Sequence, residues 1–189
     1  LKFFVTYTPK TLNLTALIEG FYNGVAMVPD TVKVELRNTS SPYALVDQAN
    51  VVLNSSGNGS ASFYYAADAT FYYIVIKHRN GLETWSAIPL AFSGGVLNYD
   101  FTTAAAQAYG SNQVLVGAKY CIYSGDVSNG VTAGIQDGYI DIFDDSEVYN
   151  DSYSGTYRLL TDLNFDGFVD IFDDIYVYNN SYNGVTASY

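Results

Sequence analysis

Residues 161–173 read TDLNFDGFVDIFD, and this stretch decides what the end of the chain can be. Asp162, Asn164 and Asp166 alternate, Gly167 follows, and Asp170 and Asp173 come after it three residues apart. Calcium is a hard cation that takes about six to eight oxygen ligands, so a loop that holds it must turn sharply while aiming alternate side chains inward. On that template Asp162, Asn164 and Asp166 fill loop positions 1, 3 and 5, and Gly167 at position 6 permits the turn. The carbonyl of Phe168 is the ligand at position 7, Asp170 at position 9 acts directly or through water, and Asp173 closes the shell at position 12. The common form of such a loop carries a bidentate Glu at position 12, so the shorter Asp is a departure.

The departure repeats. Residues 136–155 (QDGYIDIFDDSEVYNDSYSG) lie over residues 165–184 (FDGFVDIFDDIYVYNNSYNG) at an offset of 29, with 13 of 20 positions identical. The first copy supplies Asp137, Gly138, Tyr139, Asp141 and Asp144 at positions 5, 6, 7, 9 and 12. Asp126 and Ser128 take positions 1 and 3, but Asp126 precedes Asp162 by 36 residues, so the seven residues 129–135 are inserted inside this loop. Two loop-helix units with Asp at position 12 resemble dockerin modules. The resemblance implies two calcium sites and an EF-hand-type loop before each of two short helices. Cohesin recognition in dockerins rests largely on positions 10 and 11, often a polar pair; here they are Ile142-Phe143 and Ile171-Phe172.

Charge places a boundary. Residues 1–125 hold seven acids and seven bases, whereas residues 126–189 hold twelve acids against Arg158 alone and carry the whole formal charge of −11. An acidic half of this kind repels itself and is relieved by divalent cations. It also argues against nucleic acid, whose phosphates need a basic surface. The expected division is therefore a β-domain over 1–125 and a calcium-loop domain over 126–189.

The first part reads as strands. Residues 31–37 put Val32, Val34 and Leu36 on one face and Lys33, Glu35 and Arg37 on the other, the period-two pattern of a half-buried strand. Further strands are expected over 2–8, 12–19, 49–53, 61–65, 71–77, 83–88, 97–101 and 114–123, with Asn80-Gly81 as a two-residue hairpin turn. Strands this short and this numerous make an antiparallel sandwich. With the run YCIYSGD (120–126) leading into the first loop, the order of modules resembles immunoglobulin-like or transthyretin-like sandwiches preceding dockerin-like repeats at the ends of bacterial secreted proteins. The expected fold class is mainly β: an antiparallel sandwich followed by a small helical repeat pair. Ile140, Phe143 and Val148, and Val169, Phe172 and Tyr176, give the helices an apolar stripe, with Ile140 and Val169 pairing between the loops.

No catalytic constellation is visible. His78 is the sole histidine and ends an apolar strand, Cys121 is the sole cysteine in an apolar run, and no Cys/His spacing suits zinc. No segment is long or apolar enough to span a bilayer, and a start at Leu1 without a leader fits a mature secreted chain. Sequons at Asn13, Asn38, Asn54, Asn58, Asn150 and Asn179 permit glycosylation. The 19 tyrosines exceed what a core needs: Tyr64, Tyr65, Tyr72 and Tyr73 cannot all face inward, because strand neighbours point to opposite faces. Exposed aromatics mark a contact surface. The expectation is a non-enzymatic extracellular calcium-binding assembly protein whose partner is another copy of itself or another extracellular protein. Strand 2–8 would add to a neighbour's sheet and so build a filament. The alternatives are a dockerin docking on a cohesin scaffold, or a polysaccharide-binding sandwich with structural calcium.

Overall fold

The computed structural model describes residues 8–155 and 160–189. Ten strands come first among these: β1 (Lys10–Thr15), β2 (Asp30–Arg37), β3 (Leu45–Leu53), β4 (Asn58–Phe63), β5 (Phe71–His78), β6 (Gly81–Trp85), β7 (Leu90–Ala91), β8 (Val96–Asp100), β9 (Val114–Val116) and β10 (Lys119–Cys121). Two helices follow, α1 (Ile142–Ser154) and α2 (Ile171–Tyr182). One sheet has the order β4-β1-β8; the other runs β3-β2-β5-β6 with β7 beside β5, while β9 and β10 form a ribbon of their own. The alternation in β2 buries Val32, Val34 and Leu36 against Leu12, Leu14, Phe63 and Ile76 of the other strands. Each such side chain contributes about 1.5–3 kcal/mol of transfer free energy. Glu35, on the opposite side of β2, is buried too and is held by Lys33 at 2.8 Å and Arg37 at 2.6 Å.

Several sequence expectations need correcting. The sheets are not wholly antiparallel, since β1 runs parallel to β8 with Leu12 opposite Leu97. The strand expected over 12–19 ends at Thr15, because the chain leaves the sheet there: Ala16 N–H donates to Gly57 O, and Ile18 bridges to Ile122. The strand expected over 114–123 is folded back on itself at Gly117, whose φ of 61° reverses the chain so that Val116 pairs with Lys119. The β5–β6 turn is Arg79-Asn80, and Gly81 already pairs with His78. A Cβ on Gly81 would sit 3.3 Å from the His78 Cβ, so its absence serves close packing more than the turn itself. The strand expected over 2–8 lies outside the described residues apart from Thr8, which is in no strand.

A second, smaller core joins Val127, Ile140, Val148, Leu163, Val169 and Val177, and Leu82 from the sandwich completes it. Each helix begins at a capping box, with Asp141 and Asp170 as N-caps and Asp144 and Asp173 returning to the cap N–H. The inward stripe differs from the expected one. It is Asp144, Val148 and Asp151 in α1 and Asp173, Val177 and Asn180 in α2, while Phe143 and Phe172 point to solvent. Ile140 and Val169 are both buried but do not pair with each other. Residues 185–187 return along the first loop instead: Ile140 N–H donates to Val185 O at 3.0 Å and Ala187 N–H to Gly138 O at 2.7 Å.

Candidate metal centre

The two loops are the same structure built from unequal lengths of chain. In the second, Asp162 accepts through Oδ1 from Asp166 N–H at 3.1 Å and through Oδ2 from Gly167 N–H at 3.1 Å. In the first, Asp126 accepts through the same two oxygens from Asp137 N–H at 3.3 Å and Gly138 N–H at 3.2 Å. Asp173 Oδ1 accepts from Leu163 N–H at 2.6 Å and Asn164 N–H at 3.1 Å, and its Oδ2 from Asp170 N–H at 2.9 Å. Asp144 repeats this with Val127 at 2.7 Å, Ser128 at 2.8 Å and Asp141 at 2.9 Å. Asp137 and Asp166 each fold over the loop by accepting, at 3.0 Å, from the N–H two residues on, that of Tyr139 and of Phe168. Gly138 and Gly167 take the left-handed turn with φ of 84° and 91°. The insertion is looped out of this frame: Gly134 N–H returns to Val127 O at 2.7 Å, Ser128 bridges to Ala133, and Asn129 Oδ1 caps Val131 and Thr132. Asp126 therefore reaches the place of Asp162 despite the extra seven residues.

Electrostatics at both loops is that of buried carboxylates crowded together. Burial first, and then the charge of Asp144, push the Asp126 carboxyl up to about 8. Burial likewise pushes Asp144 and Asp173 up to about 6 against the pull of their backbone donors, with Asp141 and Asp162 adding repulsion. Asp162 is raised for the same reason. No salt bridge among the described residues reaches any of these carboxylates.

The donor set fits a hard cation in chemistry, being oxygen throughout. Asp162, Asn164, Asp166, Asp170 and Asp173 with the Phe168 carbonyl would hold one ion. Asp126, Ser128, Asp137, Asp141 and Asp144 with the Tyr139 carbonyl would hold the other. A carboxylate accepting two or three N–H bonds keeps lone pairs for a metal. Among the described residues no three His, Cys, Asp or Glu side chains stand together closely enough to hold a metal by themselves. Of the four aspartates assigned to each loop, therefore, no three already converge, and an ion would have to draw them together.

The sandwich meets both loops through the β5–β6 turn, a joint that local sequence patterns did not reveal. Asn80 Nδ2 donates to Asp162 O at 3.2 Å, and Gln136 Nε2 bridges Gly81 O at 2.9 Å and Asp126 O at 2.8 Å. Phe165 of the second loop stacks on Phe21 at 5.5 Å, with the Arg79 guanidinium 5.0 Å from both ring centres. Glu19 Oε2 accepts from Asn180 Nδ2 at 2.7 Å and from Ser124 N–H at 3.0 Å; burial nevertheless raises its carboxyl above the ordinary range. Gly20 lies so near the second loop that a Cβ there would overlap Leu163 O at 2.1 Å. His78 packs edge-on to Phe21 and faces Asp30 at 3.1 Å, but Arg79 already pairs with Asp30, and burial holds the imidazole down at about 4. It is a neutral structural histidine. Cys121 is fully buried, and burial pushes its thiol up to about 12.

No protein-family model and no curated protein matches the chain. Solved structures do. One is a C-terminal interface mutant of a type II cohesin–X–dockerin complex from Acetivibrio cellulolyticus, matched at 17% identity and TM-score 0.53 over 92% of this chain and 99% of that one. Another is the N-terminal interface mutant of that complex, matched at 18% identity and TM-score 0.50 over 93% of this chain and 97% of that one. At these identities the likeness shows the fold: sandwich-like, mainly β, with two helices. Among the described residues no helix is long and apolar enough to cross a membrane.

Proposed function

We propose that the chain is a non-enzymatic, extracellular protein–protein interaction module, with a β-domain over residues 1–125 and a dockerin-like pair of calcium loops over 126–189. Calcium in the loops fixes the two helices, and the helices engage another protein. The observation that carries this reading is the outward face of the repeat. Phe143 and Phe172 are 55% and 65% exposed, Tyr153 and Tyr182 85% and 82%, and Ile142, Ile171, Tyr149 and Tyr178 lie exposed between them. Tyr149 stacks on Tyr153 and Tyr178 on Tyr182 at the same interval. Apolar side chains at the same places in both copies, with the aspartates turned inward, make a contact surface. The match covers 92% of this chain and so extends beyond residues 1–125.

The test is light scattering and a binding assay against immobilised type II cohesin, each run in calcium and in chelator. Calcium-dependent self-association or capture, abolished in Phe143→Glu/Phe172→Glu, is expected. Monomeric behaviour with no capture in either condition contradicts the reading. A second reading, strand exchange, draws on a different feature: among the described residues β8 pairs with β1 alone, and the sequence of residues 2–8 alternates Phe3, Val5 and Tyr7, which suits donation to the β8 edge of a neighbour. Deleting residues 1–7 separates the two, since only strand exchange loses association. Polysaccharide binding is the weaker alternative, because Trp85 is buried under Tyr43, Tyr73 and Tyr189 rather than presented to solvent.

A further inference from the structure

Six Asn-X-Ser/Thr sequons occur in this chain, where roughly two or three would arise from its composition by chance. All six acceptor asparagines are exposed, while the buried Asn80 and Asn180 are acceptors in no sequon. Three of the six come together in space. Antiparallel pairing of β1 with β4 sets Asn13 opposite Ser60 and Thr15 opposite Asn58, so each strand's acceptor lies beside the other's hydroxyl. Asn54 stands at the turn before β4, and the three asparagines line one open groove of about 600 Å³ with Asn98 and Asp100.

We propose that the outer face of the β4-β1-β8 sheet carries N-linked glycan at Asn13, Asn54 and Asn58. In the transfer, the amide Nδ2 bonds to the anomeric carbon of an oligosaccharide held as a polyprenyl phosphate or pyrophosphate ester. The bond from that carbon to the phosphate oxygen breaks, the lipid phosphate leaves with the electron pair, and a base of the glycosyltransferase takes one amide proton. Every side-chain bond of the three residues survives this. Asn54 and Asn58 use only their oxygens, toward Ser56 and Asn58 N–H at 2.9 and 3.0 Å and from Thr15 Oγ1 at 2.9 Å. Asn13 accepts from Ser60 Oγ at 3.3 Å and donates Nδ2 to Asn98 Oδ1 at 2.8 Å, and one N–H remains on a glycosylated amide to keep that donation. Most side chains lining the groove carry hydroxyls or amides, beside Leu14 and Tyr99, and Asp100 is its one charge.

The inference rests on the extracellular reading, so the test follows location and modification together. The chain is isolated from its native source, separately from the cell interior and from outside the cell, and its peptides are weighed by mass spectrometry. Expected are saccharide mass increments on the Asn13 and Asn54/Asn58 peptides of the outside fraction, lost in Asn13→Gln/Asn54→Gln/Asn58→Gln. Outside chain that is unmodified at all three positions, or sugar only at Asn38, Asn150 or Asn179, overturns the inference and leaves secretion standing. Chain found only inside the cell and unmodified overturns both.

Discussion

Asn180→Ala removes the side chain that ties α2 to the sandwich, and its cost can be worked from the bonds it makes. The residue is buried and donates from one amide nitrogen to Glu19 Oε2 at 2.7 Å and to Ser124 O at 2.8 Å. A bond to a charged acceptor is worth about 1.5–3 kcal/mol and a neutral one about 1, while alanine returns roughly 0.5 in helix propensity. The net loss is about 2–3 kcal/mol, which for a chain of this size lowers the melting temperature by about 5–10 °C. The neighbouring Asn179 is exposed, and Asn179→Ala should stay within about 0.5 kcal/mol of the parent. Glu19 adds a pH signature. Burial already raises its carboxyl, and losing Asn180 raises it further, so its favourable state is present below the usual carboxylate range and lost as pH rises. The deficit of Asn180→Ala should therefore grow between about pH 4.5 and pH 7. Urea unfolding of the two variants at both pH values decides it. Equal stability of Asn180→Ala and Asn179→Ala at pH 7 would refute the claim that this joint holds the two parts together.

Phe165→Ala loses the stack on Phe21 and one side of the Arg79 cation–π contact, and should cost about 1–2 kcal/mol beyond the area it exposes, read by the same unfolding assay. His78 has its imidazole pulled down to about 4 by burial, so the stability it contributes is present above the unfolded histidine value and lost as pH falls toward 4. His78→Gln should flatten the acid limb of the stability curve. The loop acids act in the opposite sense in metal-free protein: with Asp126 at about 8 and Asp144 and Asp173 at about 6, their favourable protonated state is present at acid pH and lost as pH rises through 6 to 8. Chelated protein should therefore gain stability between pH 8 and pH 5, on the order of 1 kcal/mol per carboxylate after solvent screening. Saturating calcium should reverse that slope, and scanning calorimetry across the range would show a pH-independent melt if the reasoning fails.

What could be read from sequence was what neighbouring residues decide. The loop frame is local, and the 29-residue offset was enough to equate Asp126 with Asp162 across an insertion, because the repeat on either side fixed the register. The period-two pattern of β2 likewise survives, since one face is buried along its whole length. Long-range decisions were not legible. Phe143 and Phe172 look like core residues, but the capping aspartates fix the start of each helix and Val148 and Val177 its buried face, which turns both phenylalanines outward. Residues 183–187 repeat the NGVTA of residues 129–133, and nothing local shows that Val185 and Ala187 complete the first loop's edge by hydrogen bonds. Nothing near Asn80 or Phe165 indicates that one reaches Asp162 and the other Phe21, because each contact joins segments more than 80 residues apart.

The central claim is that the paired loops hold calcium, and isothermal titration of chelator-stripped protein with calcium tests it most directly. The account predicts two ions bound per chain, one lost in Asp162→Asn/Asp173→Asn and the other in Asp126→Asn/Asp144→Asn, with a gain of about 2.7 kcal/mol per site at free calcium 100 times the dissociation constant. A flat titration, with melting unchanged by the chelator, would contradict it.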